Sequence, residues 1–148
     1  MVVAAFENDG LVRDPDQCIA GTDDIHVEIL AGQVTASPGE FKITGALQVQ
    51  TPGAASAELV LDATPTFSWL DDSSEDQYLI EVSDSYGQII WSTTMLGVNG
   101  GTPTIDYAGP ALEAGMYYQY RVTSSAQPGG KPRCNRARTE DLKGVFYY

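Results

Sequence analysis

The sequence predicts an all-β fold, an antiparallel two-sheet sandwich carrying an N-terminal arm and extra strands. Three observations carry that expectation. In the stretch Thr64–Val82, TPTFSWLDDSSEDQYLIEV, Phe67 and Trp69 alternate with polar neighbours, and so do Tyr78, Ile80 and Val82 after an acidic turn. A period of two on both sides of a polar turn describes two antiparallel strands, each with one face in a core. Turn signals recur along the chain, with 15 Gly and 8 Pro to supply them. Apolar residues at helical spacing are nowhere sustained for long.

The elements follow in order. Residues 1–24 hold Asp9-Gly10, Asp14-Pro15-Asp16 and Gly21-Thr22-Asp23-Asp24 and little periodicity, so they read as an arm, ordered mainly where something anchors it. Residues 25–46 read as additional strands. Ile25, Val27 and Ile29 share one face of Ile25–Leu30, with His26 and Glu28 on the other. A short strand at Gln33–Ala36 lies between turn signals. In Phe41–Gln50, Phe41 and Ile43 and then Leu47 and Val49 alternate, with Gly45 marking a slip of phase.

Residues 47–148 form the sandwich proper. A short strand at Glu58–Asp62 precedes the central pair, and Asp84-Ser85-Tyr86-Gly87 then turns the chain into Gln88–Thr93, with Ile89 and Trp91 in phase. Strands at Thr104–Tyr107 and around Tyr117–Val122 follow, and Leu142–Tyr148 closes the chain. Met116, Tyr118, Tyr120 and Val122 share a face. The expected core is Phe67, Trp69, Tyr78, Ile80, Val82, Ile89, Tyr118, Tyr120 and Val122.

At 148 residues the chain is long enough for a real core. No run approaches the roughly 18–20 apolar residues of a membrane helix, which argues against direct membrane insertion. The first six residues lack the basic flank and the length of a secretory signal. The chain is therefore either cytosolic or numbered from after a removed signal. The formal charge of −12 argues against nucleic acid as the main partner. Up to Tyr120, Arg13 and Lys42 stand against 18 acidic residues, 2 − 18 = −16; from Arg121 onward six basic residues meet Glu140 and Asp141, 6 − 2 = +4. This is either a solvated acidic surface with basic loops, or two surfaces of opposite sign that meet within the fold or between copies. The two cysteines, Cys18 and Cys134, have no Cys or His at metal-ligand spacing, and His26 is the sole histidine. They read as a disulfide, and hence an oxidising compartment, or as two unrelated buried thiols.

PTFSW followed by YLIEV, then IIW, then LEAGMYYQYRVTS, resembles a fibronectin type III or related bacterial immunoglobulin-like domain over about Leu47–Tyr148. The resemblance implies an inward Trp69 on the second strand and a tyrosine corner at Tyr118, with Leu112 and Gly115 as its partners. The acidic turn after PTFSW and the ending TEDLKGVFYY resemble domains of secreted or lipid-anchored bacterial surface proteins. That implies an extracellular or cell-surface location.

No hydrolase elbow, phosphate-binding loop, dinucleotide fingerprint, zincin or calcium-loop pattern occurs, and the one histidine leaves nucleophilic catalysis without a visible base. No cofactor and no enzymatic activity are expected. Asp71, Asp72, Glu75 and Asp76 are weak candidates for a hard cation, against the plainer reading of solvated loop charge. Tyr86, Trp91, Tyr117 and Tyr147 form a sugar platform if they are exposed, and otherwise pack beneath loops or between sheets. The leading expectation is a non-catalytic structural or adhesive module, open to self-assembly. Copies would join head to tail through the arm and Ile25, Val27 and Ile29, with the hydrophobic VFYY strand as a further pairing segment. The alternatives are a carbohydrate- or calcium-binding module and an accessory domain of a larger secreted enzyme.

Overall fold

A computed structural model describes residues 2–3, 25–26, 31–34, 46–70, 75–98, 100–127 and 133–148, with the backbone alone for the first two pairs. Among the described residues the chain forms strands and no helix. The strands are β1 (Val2–Val3), β2 (Ile25–His26), β3 (Val49–Thr51), β4 (Glu58–Leu59), β5 (Thr66–Trp69), β6 (Gln77–Asp84), β7 (Ile89–Leu96), β8 (Thr104–Asp106), β9 (Tyr117–Ala126), β10 (Cys134–Arg138) and β11 (Val145–Tyr147).

The larger sheet runs β4-β11-β9-β6-β7, with β10 also on β9. The smaller runs β3-β5-β8, and β1 pairs with β2 separately. The strand pairings are antiparallel except that of β11 with β4. The two larger sheets share one core, as in a β-sandwich. Alternation dictates which residues enter it: β6 buries Tyr78, Ile80 and Val82, and β9 buries Tyr118, Tyr120 and Val122. From the smaller sheet Phe67 and Trp69 meet them, both fully buried. Phe67 stacks on Tyr120 at 4.5 Å between centroids, and Trp69 meets Tyr78 edge-on at 5.1 Å. Offset and edge-on geometries of this kind add to the area that each ring removes from water.

Tyr107 and Phe146, absent from the core read from sequence, are buried too. Tyr107 meets both Phe67 and Trp91 edge-on, and Phe146 packs on Phe67 and Tyr118.

Several expectations need correction. Ile89 is 59% exposed, not core. Val82 pairs with Trp91 but Ser83 with Ile89, so Ile90 is an extra residue and the phase slips there. Ile90 and Trp91 both pack against the core instead. Gln33 and Val34 lie in coil, with Val34 fully exposed, and positions 35–36 fall outside the described residues. The strand expected at Glu58–Asp62 is two residues long and exposed: Glu58 and Leu59 pair with β11, and the Val60 N–H adds a bond to the Tyr147 carbonyl just beyond them. The terminal VFYY segment does not offer its edges to a neighbour: β11 pairs with β9 on one side and β4 on the other.

Candidate functional site

The turn before β9 is built around Tyr118. Its ring lies buried against Phe146, and its hydroxyl accepts the backbone N–H of Glu113 at 2.8 Å. Leu112 is buried beside it, and Gly115 turns with φ 81°, where a side chain would be strained. The Gly115 N–H donates to the carbonyl of Tyr148, which ties the turn to the end of the chain. Leu112, Gly115 and Tyr118 thus form one structural corner. It fixes loop geometry and presents no reactive group.

One period along β9, the Tyr120 hydroxyl crosses the sandwich. It donates to the Ser68 carbonyl at 2.8 Å, with the Thr51 carbonyl 3.0 Å away. Burial pushes the phenol far above its ordinary value, so it stays a neutral donor. Sequence pattern places Tyr120 in the core but cannot show this bond, because Ser68 lies 52 residues upstream.

Of the acidic turn, Asp71 and Asp72 lie outside the described residues. Glu75 accepts the hydroxyl of Tyr78, and Asp76 pairs with Arg133 and accepts the Gln127 N–H at 3.1 Å. The Arg133 hydrogen bond holds the Asp76 carboxyl below the usual carboxylate range. These oxygens are thus engaged within the fold, and among the described residues no group of three or more His, Cys, Asp or Glu is placed to hold a metal. Cys134 opens β10, buried and not a free thiol. Its expected pairing with Cys18 falls on a position outside the described residues. So do Val27 and Ile29 of the expected assembly strand, while Ile25 belongs to β2 and pairs with Val3.

The expected aromatic platform divides. Trp91 is drawn into the core edge against Phe67 and Tyr107. Tyr86 stands exposed at the β6–β7 turn. Tyr117 and Tyr147 sit opposite one another on β9 and β11 with ring centroids 5.1 Å apart, and Tyr117 is half exposed. Beside them Ser83, Gln119 and Val145 line a shallow depression of about 270 Å³. It adjoins another of about 330 Å³ formed with Glu81, Ile89 and Arg121. The Gln119 amide donates to the Lys143 carbonyl and Arg121 pairs with Asp141, so the polar groups here are held in place. Compared with protein-family models, curated proteins and solved structures, the chain shows no significant match.

Proposed function

We propose that the chain is a non-catalytic extracellular β-sandwich of the fibronectin type III or immunoglobulin-like kind, a structural or adhesive module of a bacterial surface protein. The observation that carries this reading is the corner at Leu112, Gly115 and Tyr118, set at the entry to β9 in a sandwich whose smaller sheet is β3-β5-β8. Such a corner rigidifies a scaffold. The buried side chains between the sheets are mostly aromatic and aliphatic, which suits a filled spacer better than a catalytic cleft. A disulfide between Cys18 and Cys134 belongs to the same reading, as does association of copies through the N-terminal arm. Antibody labelling of intact source cells tests the location. Surface labelling supports the proposal, whereas label that appears only after lysis rejects it.

A carbohydrate-binding role is favoured by one observation, the half-exposed Tyr117 beside Gln119 with its ring close to that of the partly buried Tyr147. Titration with soluble glucan and chitin oligomers tests it, with Tyr117→Ala as the control. Saturable binding lost in that variant supports the sugar reading, and flat titrations reject it for those polymers.

A further inference from the structure

The longest exposed edge of the sandwich belongs to β7. It is the last strand of the larger sheet, hydrogen-bonded to β6, and among the described residues nothing pairs with its other side. Its sequence, IIWSTTML, has no charge, no proline and no glycine. The other edges differ. β4 is two residues long and carries Glu58, and β3 runs into Pro52. β8 has three residues between Pro103 and Tyr107 and ends in Asp106, and β10 carries Arg136 and Arg138. Brevity, charge and proline are the usual protections of a sheet edge, and β7 lacks all three. The extra residue at Ile90 distorts only its beginning, and Trp91–Leu96 pair with β6 in unbroken register.

The backbone groups that face outward can be named. The Gly97 N–H donates to the Asp76 carbonyl at 2.8 Å. Alternation from that bond directs the N–H and C=O of Met95, Thr93 and Trp91 toward β6 and leaves those of Leu96, Thr94 and Ser92 at the free edge. The side chains of Ser92, Thr94 and Leu96 are exposed on the sheet face, and among the described residues no strand pairs with this row.

We propose that β7 is a self-pairing edge, on which a second copy of this chain extends the larger sheet across a two-fold axis. Two features select a second copy. The chain carries a net charge of −12, so two copies repel over most approaches, but this edge brings no like charges together. The strand is also complementary to itself. Antiparallel and centred on Thr93, it sets Ser92 against Thr94 of the second copy and Trp91 against Met95. Hydroxyl pairs and sulfur–aromatic contacts are each favourable across strands. The contact is isologous and closes at two copies. It uses none of residues 1–30 and is independent of association through the arm.

The test is sedimentation velocity on the full chain from micromolar to millimolar concentration, with hydrogen exchange at both ends. Wild type associates as concentration rises, more strongly in added salt because screening relieves repulsion between the acidic copies. The Ser92 and Thr94 amides exchange at least about tenfold more slowly in concentrated protein, whereas the Thr93 amide is slow throughout. Thr94→Pro removes the outward N–H, and Thr94→Lys puts a charge on the exposed edge. Each variant weakens association by about tenfold or more with near-ultraviolet dichroism unchanged. If the proline variant fails to fold, the lysine variant decides. A chain monomeric at every concentration overturns the proposal. Association that survives in folded Thr94→Lys, or that vanishes only when residues 1–30 are removed, overturns it as well.

Discussion

Tyr118 and Tyr120 lie one strand period apart on β9, and their hydroxyls carry unequal energetic weight. Tyr118 accepts one N–H at a loop, from Glu113, whose side of the contact stays near solvent. Tyr120 donates inside the sandwich to the Ser68 carbonyl, beside that of Thr51. Removing the first hydroxyl costs about 1 kcal/mol, the net worth of an ordinary hydrogen bond. Removing the second strands the buried Ser68 carbonyl against a ring edge and costs about 1–3 kcal/mol. Urea titrations of Tyr118→Phe and Tyr120→Phe should therefore rank Tyr120→Phe as the more damaging, and the reverse order would show that the cross-sheet bond contributes little. Alternation alone puts both rings on the inner face. It does not separate their hydroxyls, because that depends on carbonyls brought close only by the fold. The burial of Phe146 is hidden in the sequence for a related reason: in the run VFYY apolar residues occupy both faces, so periodicity cannot tell which one is buried.

At the scale of elements, turns and bulges decide what alternation leaves open. Ile89 falls outside the core because one extra residue at Ile90 reverses the phase, and no glycine or proline marks that point. The β10–β11 connection shows the opposite, a glycine whose role is visible only in the fold. Gly144 adopts φ 71° and donates to the Gly53 carbonyl while accepting the Tyr120 N–H. A Cβ at this position would collide with the Tyr120 carbonyl oxygen. Gly144→Ala adds that clash to a left-handed backbone, and about 2 kcal/mol or more of stability should be lost. A thermal melt unchanged from wild type would show that the turn relaxes freely. The link from the start of β6 to β10 is electrostatic. Asp76 has its carboxyl lowered first by the Arg133 hydrogen bond, so its contribution is present above the unfolded value of about 3.9 and lost as pH falls through the lower folded value. The pair is half exposed, and salt screens it. The melting difference between wild type and Asp76→Asn should be measurable at pH 7, shrink below about pH 4 and diminish in high salt. A difference that does not change with pH would place the effect in packing.

For the whole molecule, two facing sheets were legible in the spacing of Phe67, Trp69, Tyr78, Ile80, Val82, Tyr120 and Val122. What joins residues 1–46 to them was not, since that stretch has few strong periodic runs. The proposed link is covalent. Cys134 is buried where β10 begins and is not a free thiol, and the chain contains one other cysteine, Cys18. A bond between them closes a loop that spans most of the sequence. In the chain-entropy account it restricts the unfolded chain by on the order of 4–5 kcal/mol, less any native strain. At about 2–4 °C per kcal/mol for a chain of this length, reduction should lower the melting temperature by roughly 8–20 °C. Cys18→Ser with Cys134→Ser should reproduce that shift without reductant. The geometry of the bond then follows from electrophoresis. An unreduced monomer without titratable thiol means that each chain closes its own loop, whereas a dimer that disappears on reduction means that the bond joins two copies. Two titratable thiols in native protein would remove the disulfide and, with it, the chemical argument for an oxidising compartment.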